Sequence, residues 1–350
     1  MNILIITQRV DINDDNLGFF HEWLEKFAKN SDKVFVVCLW KGDYKLPSNV
    51  EIFSMGKESG ASKIIQFFRL QAYLFRRVKR CDGIFIHMSP IYAIGSFPMA
   101  KLFRKKMLMW YVHKSKNFKL WLAEKLVNKI YTASQESFLI KSRKVEVVGH
   151  GIDTDKFFPK KIDGSGKFKI LFAGRISPIK DLKTLISAMG ILSKEIGSGS
   201  FNLEIVGDAV DGEEQEYFNA LMKIIKERKL SDCVSFSGGL RHDEMPSKYN
   251  NSDVLVNLSP TGGMDKAVLE AMSCGILVLA ANETFKSILA QANYNSMFRF
   301  GDAEDFSRKI VGLMSISQEE RDRIGVGLRS VMVKNHSLDN LIKRISEYFK

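Results

Sequence analysis

The sequence predicts an α/β protein built of two doubly wound parallel sheets in tandem. Three observations carry that prediction. Short, continuous runs of β-branched and leucine residues recur along the chain, as strands buried on both faces require. Helical stretches separate these runs, the alternation that right-handed crossovers produce. The alternation then starts afresh at residue 168, after a polar, Gly-containing stretch at 160–167. The length agrees. At ~100–200 residues per domain, 350 residues with 45% hydrophobic content supply two cores. A 26% charged fraction, 25 Gly and 7 Pro exclude disordered and collagenous classes.

In the first half, the run at 2–7 reads as a strand, and Gly18-Phe19-Phe20-His21 opens a helix reaching residue 30. Strands follow at 34–40, 83–88, 107–112, 129–133 and 145–149, with helices at about 61–80, 91–104 and 117–128. Gly151-Ile152-Asp153 and Phe157-Phe158-Pro159 read as a linker. In the second half, strands are expected at 168–173, 202–206, 234–236, 253–258 and 276–280, and helices at 181–195, 213–229 and 267–274. The domains are accordingly 1–154 and 155–335, with a last helix at about 336–350 packing back on the first. Two such domains place a cleft between the carboxyl ends of their sheets, where folds of this class bind ligands.

Several classes fall away. Cys38, Cys81, Cys233 and Cys274 lie far apart with no C-x-x-C pair, which argues against a zinc knuckle or redox motif and for a reducing, cytoplasmic compartment. Residues 1–7 are too short an apolar run for a secretory signal, and no stretch reaches the ~18–20 apolar residues of a membrane span. Neither G-x-G-x-x-G nor G-x-x-x-x-G-K-[ST] follows a predicted strand. Residues 1–155 hold 25 Lys or Arg against 15 Asp or Glu, while the remainder holds 27 against 25, so an anionic partner belongs to the first half. The basic residues form no nucleic-acid motif, and nucleic acid is not expected.

Two segments carry chemistry. Gly174-Arg175-Ile176-Ser177-Pro178-Ile179-Lys180-Asp181 leaves the first strand of the second domain and enters a helix. Arg175 and Lys180 thereby stand at a helix amino terminus, itself an anion site, and two cations there suit a diphosphate. In the second segment, a glycine-bearing loop follows the strand at 253–258, and a helix starts near Lys266. The backbone amides of Lys266, Ala267, Val268 and Leu269 add to the anion site. Glu270, about one turn in, is placed to accept from a ribose diol. A carboxylate beside Leu269 and Ala271-Met272 is costly without partners.

Gly174-Arg175 … Lys180, Leu269-Glu270-Ala271-Met272 … Gly275 and Gly151-Ile152-Asp153 … Phe157 together resemble the family 4 retaining glycosyltransferases. That resemblance covers the whole chain, is strongest at about 145–280, and implies the GT-B fold of two Rossmann-like domains facing across a cleft. It implies that Arg175 and Lys180 hold the diphosphate of a nucleotide-sugar donor, such as a UDP-sugar, and that Glu270 holds its ribose. It sets Gly18 against the donor phosphate and the acceptor, and His113, which follows the strand at 107–112, beside the transferred sugar. The family's earlier glutamate is replaced here by Gly262. The amides of Gly263 and Met264 remain available to the sugar, and Asp265 to its hydroxyls.

The implied reaction is metal-independent, retaining transfer to a glycan or lipid-linked acceptor, with the nucleotide-sugar as substrate and no cofactor. A nucleotide-sugar epimerase and a non-catalytic sugar-nucleotide-binding module are the alternatives. Asp153-x-Asp155 lies in the linker and is not expected to bind metal. On the helix at 63–80, Arg69, Arg76 and Arg80 share one face with Tyr73, while Ile64, Phe67, Leu74, Phe75 and Val78 form the face expected on the sheet. Phe68 and Ile65 flank the arginines. With the basic cluster Lys101, Arg104, Lys105 and Lys106, they predict contact with an anionic membrane, hence polysaccharide biosynthesis at the inner membrane face.

Overall fold

The computed structural model describes residues 1–14, 17–160, 166–260 and 263–350. The chain divides into two compact units, Met1–Asp153 with His336–Lys350, and Thr154–Asn335. The first unit contains β1 (Asn2–Val10), α1 (Phe20–Lys29), β2 (Lys33–Lys41), β3 (Val50–Ser54), α2 (Lys63–Arg77), β4 (Gly83–His87), α3 (Pro90–Leu102), β5 (Lys106–Trp110), α4 (Phe118–Leu126), β6 (Lys129–Thr132) and β7 (Val145–Val147). The second contains β8 (Phe168–Ala173), α5 (Leu182–Ile196), β9 (Phe201–Val206), α6 (Gly212–Glu227), β10 (Val234–Gly238), α7 (Met245–Asn250), β11 (Val254–Asn257), α8 (Lys266–Ser273), β12 (Leu277–Ala280), α9 (Lys286–Gln291), α10 (Ala303–Met314) and α11 (Gln318–Asn335). A final helix, α12 (Leu338–Phe349), belongs to the first unit.

Both sheets are doubly wound. The first has strand order β3-β2-β1-β4-β5-β6-β7 and the second β10-β9-β8-β11-β12, with every paired strand parallel. Successive residues of a strand face opposite layers, and β1 supplies both. Leu4 and Ile6 pack with Leu70 and Leu74 of α2, Ala93 of α3 and Leu120 of α4. Ile3 and Ile5 pack with Trp23 and Phe27 of α1 and with Leu341 and Ile345 of α12. The return of α12 is fixed at its start. Leu338 N–H donates to Ile152 O at 2.8 Å, Ile152 N–H donates to His336 O at 2.7 Å, and the Ser337 side chain caps the helix. Polar residues cap other helices in the same way, Asn117 before α4 and Asp211 before α6.

The structure departs from the sequence reading in places. The half-buried edge strand β3, Val-Glu-Ile-Phe-Ser, is too short and mixed to stand out. β5 ends at Trp110, so His113 lies in the following loop rather than directly after a strand. The face of α2 is corrected most. Leu70 and Leu74, with Val78 just beyond the helix, do the packing, whereas Ile64, Phe67 and Phe75, expected on the sheet, lie open to solvent. Tyr73, expected among the arginines, packs its ring 4.9 Å from Phe53, and Arg69 turns a guanidinium N–H to the Met55 carbonyl. Apolar residues occupy the whole circumference of α2, so periodicity alone left its rotation open. Among the described residues, no helix is long and apolar enough to cross a membrane.

All four tryptophans, Trp23, Trp40, Trp110 and Trp121, lie in the first unit, so their fluorescence reports that unit alone. Leu341→Ala empties a fully buried position between α12 and the sheet. It is expected to lower the stability of this unit by about 2–5 kcal/mol, seen as an earlier urea midpoint by tryptophan fluorescence. An unmoved midpoint would show that α12 is not part of this core.

Candidate functional site

In the second sheet the chain runs from β8 outward to β9 and β10, then returns to place β11 on the other side of β8. This reversal is a topological switch point, outside whose carboxyl ends open α/β sheets hold ligands. The loops leaving β8 and β11 carry the two segments that the sequence singled out. Gly174 opens the first with φ 155°, and its N–H donates to Val206 O at 3.0 Å. Facing it is Gly207, with φ 142°. A Cβ there would stand 1.9 Å from the Gly174 carbonyl oxygen, so only glycine fits. Sequence reasoning passed over Gly207, because its requirement comes from a neighbouring loop.

The loop then makes a short 3-10 turn, Pro178–Lys180, and Asp181 at φ 50° caps α5 by accepting from Thr184 N–H. Lys180 Nζ donates to both carboxylate oxygens of Asp265, at 3.0 and 2.9 Å. The same carboxylate accepts from Asn257 Nδ2 at 2.6 Å and Ser259 Oγ at 3.3 Å. Three donors, Lys180 from the loop after β8, Asn257 from the end of β11 and Ser259 just beyond it, thus meet on one anion. Arg175 reaches outward, its Nη1 3.6 Å from Glu214 Oε1. Among the described residues, the buried Ser177 Oγ and Asn257 Oδ1 have no hydrogen-bond partner, polar atoms that a ligand or water would satisfy.

Asp265 precedes α8, whose first residue is Lys266, and Glu270 sits in its second turn, buried. Glu270 Oε1 accepts from His242 Nε2 at 2.9 Å, and Oε2 accepts from Tyr249 OH at 2.8 Å. Lys156 Nζ lies 3.2 Å from His242 Nδ1. A charged ammonium only donates, so Nδ1 accepts and Nε2 carries the proton given to Glu270. Burial pushes the Glu270 carboxyl up, but hydrogen bonds from His242 and Tyr249 and the nearby charge of Lys266 hold it below 4.5. Burial beside Glu270 pushes the Tyr249 hydroxyl well above its ordinary range. Neither His242 nor Tyr249 stands out in the sequence. These partners come from segments 28 and 21 residues away, outside the helix that carries Glu270.

Arg175, Lys180, Asp265, Lys266 and Glu270 are therefore brought to one end of the second sheet. Gly263 is exposed, its carbonyl accepting from Asn282 Nδ2 at 3.4 Å, and Met264 is half-buried. Ala267 is half-buried at the start of α8, Val268 and Leu269 are buried, and Gly262 lies outside the described residues. Gly18 and His113 belong to the first unit. A Cβ at Gly18 would sit 2.6 Å from the Asp14 carbonyl oxygen. His113 is exposed, its N–H donating to Ser137 O at 3.0 Å. At the switch point of the first sheet the structure instead buries His87, which ends β4. Its ring stacks on Phe20 at 4.0 Å, and its Nδ1 lies 3.1 Å from Thr7 Oγ1. In the linker, Lys26 stands between Asp153 at 3.4 Å and Asp339 at 2.8 Å. Burial raises the thiols of Cys38, Cys81 and Cys274 to about 12, which leaves them unreactive.

Residues 153–329 match the family described as glycosyl transferases group 1. Mannosylfructose-phosphate synthase of Agrobacterium fabrum is 23% identical over 201 residues, 54% of this chain and 43% of that protein. A GDP-mannose-dependent alpha-(1-6)-phosphatidylinositol monomannoside mannosyltransferase of Mycobacterium tuberculosis is 23% identical over 222 residues, 59% of this chain and 56% of that protein. The matches thus span about half the length of these relatives. Among solved structures, Anabaena HepE in complex with UDP superposes with a TM-score of 0.79 at 18% identity, covering 99% of both chains. At that identity the likeness establishes the fold.

The Glu270 network makes a test of its own. A carboxyl held below its ordinary value stabilises the fold above about pH 4.5, and that stability is lost as the pH falls through the lowered value. Tyr249→Phe removes one donor and is expected to cost about 1.5–3 kcal/mol at pH 7, read by urea unfolding followed by circular dichroism. The gap from wild type should shrink as Glu270 is protonated in acid. A gap that is constant with pH would mean that the hydroxyl does not serve the carboxylate.

Proposed function

Because the chain belongs to the family of glycosyl transferases group 1, we propose that it transfers a sugar from a nucleoside-diphosphate-sugar to a hydroxyl of an acceptor. The observation that carries this reading is the pairing of two loops at one switch point. One brings Arg175 and Lys180 to the start of α5; the other brings α8 and its ionised, buried Glu270. Cations at a helix amino terminus suit a diphosphate, and an anchored carboxylate beside them suits a ribose diol. His242 and Tyr249 each take one lone pair of Glu270, and a carboxylate has about four acceptor positions. A diol can use the others.

In the reaction the bond from the anomeric carbon to the donor phosphate oxygen breaks, and negative charge grows on the leaving nucleoside diphosphate. Arg175, Lys180 and the free N–H groups of the helix stabilise that charge, the role a metal ion plays elsewhere, so the transfer is metal-independent and needs no cofactor. Lys180 exchanges Asp265 for phosphate as the donor enters. The acceptor hydroxyl bonds to the anomeric carbon on the face the phosphate leaves and gives its proton to that phosphate, so configuration is retained. His113 and Gly18 act from the first unit, His113 at the sugar end. The acceptor we propose is a lipid-linked or cell-envelope glycan at the cytoplasmic face of the inner membrane. The strongly basic first unit and the relative named for a phosphatidylinositol mannoside support this choice.

The test has two steps. A panel of nucleotide-sugars is scored by thermal shift, since a ligand that binds the folded state raises its melting temperature. Transfer of the stabilising sugar to acceptor is then measured in variants. Arg175→Ala and Lys180→Ala should each lower turnover by about a hundred- to a thousand-fold, or about 2.7–4 kcal/mol, with the fold intact. His113→Ala should lower kcat and leave nucleoside diphosphate affinity near wild type. Activity within a few-fold of wild type in either cation variant refutes the phosphate assignment. Donor consumed without acceptor would indicate an epimerase.

A further inference from the structure

The helices on one side of the first sheet are apolar on both of their faces. At 100° per residue Ile64, Phe68 and Phe75 of α2 fall within about 40° of one another, about 120° round the helix from the line of Leu70 and Leu74 that packs on the sheet. They are 70%, 65% and 57% exposed. Phe67 lies beside them, its ring 5.9 Å from that of Phe68. The neighbouring helix continues the surface. Gln71 of α2 donates to Gly95 O of α3 at 2.8 Å, and α3 presents Ile91 and Leu102 to solvent. An exposed apolar surface of this breadth on a water-soluble fold marks an interaction site.

The charge around it identifies the partner. Between Gly60 and Ala123 the chain carries thirteen Lys or Arg and a single acid, Asp82. The cations gather where α2 and α3 end, as Arg76 and Lys79, and as Lys101 and Arg104. They border the apolar line directly. Phe75 packs 5.9 Å from Phe103, and Lys79 Nζ stands 5.1 Å over the Phe103 ring. Apolar side chains with a cationic rim are what an anionic bilayer interface takes up, the stems lying along the apolar surface and the heads meeting lipid phosphates. A second copy would bring +12 against +12 and is disfavoured by its own charge.

We infer that the outward faces of α2 and α3 are a bilayer-docking surface, in which Ile64, Phe67, Phe68 and Phe75 enter the interface and the basic ends of both helices hold anionic headgroups. The inference rests on the reading of a membrane-held acceptor and supplies its means. It also moves the main contact from the arginine face that periodicity suggested to the aromatic line.

The full chain, without donor or acceptor, is sedimented with vesicles of phosphatidylcholine alone and of phosphatidylcholine with phosphatidylglycerol. Wild type should partition at least tenfold more strongly to the anionic vesicles and keep part of that binding in high salt, where purely ionic docking is screened. Ile64→Asp/Phe68→Asp should lose at least tenfold in partition. Its melting temperature and its thermal shift with nucleotide-sugar should stay at wild-type values. Three results overturn the inference: wild type staying in solution with anionic vesicles, the variant pelleting like wild type, or a concentration-dependent dimer that the substitution dissolves. Nucleotide-sugar binding with no vesicle binding removes this surface and leaves glycosyl transfer standing. Vesicle binding with no nucleotide-sugar shift removes the proposed reaction instead.

Discussion

The paired contact between Lys180 and Asp265 ties together the loops that leave β8 and β11, and the site is arranged around it. Its worth lies in position rather than stability, since a half-exposed pair of this kind contributes about 0–1 kcal/mol. Asn257 and Ser259 fix the carboxylate from the β11 side, and the Gly174–Gly207 approach fixes the loop from the β8 side. The ammonium is thus held where α5 and α8 both begin. A diphosphate that displaces Asp265 finds its cation already placed, which spares the ordering of a long, flexible side chain on binding.

Glu270 shows a second form of the same economy. A buried carboxylate without partners is costly, and here a histidine and a tyrosine are spent on keeping it charged. Lys156 in turn selects the histidine tautomer that can donate. The ribose recognition proposed for Glu270 needs an acceptor that is ionised and fixed in direction, and this network provides both. The first unit is organised differently: at its switch point stands His87, stacked on Phe20 with Trp23 nearby. Its charge lies on outer helices, beside an aromatic surface.

Much of this was legible in the sequence. Strands buried on both faces declare themselves as continuous apolar runs, and Phe168–Ala173 has the same limits in sequence and structure. The anion segment was readable because its cations lie within one loop. What stayed hidden depends on distance along the chain. Lys180 and Asp265 are 85 residues apart, and neither sequence segment shows that they neutralise each other. His242 and Tyr249 reach Glu270 from separate elements. β3 is a short edge strand, and α11 buries only Gly325, Leu328, Val331 and Met332 of its 18 residues, too sparse a pattern for periodicity. In α2 the apolar residues surround the helix, so its rotation became visible only in the packed structure.

In the proposed reaction Lys180 receives the donor diphosphate in exchange for Asp265. Calorimetric titration with UDP or GDP, whichever wild type binds more tightly, tests it most directly, with the matching nucleoside as control. Lys180→Met should lose at least tenfold in nucleoside diphosphate affinity and keep its affinity for the nucleoside. Asp265→Asn, which removes the competing carboxylate, should bind the diphosphate at least as tightly as wild type. Undiminished diphosphate binding by Lys180→Met, or an Asp265→Asn variant weakened as far as Lys180→Met, would rule out this exchange.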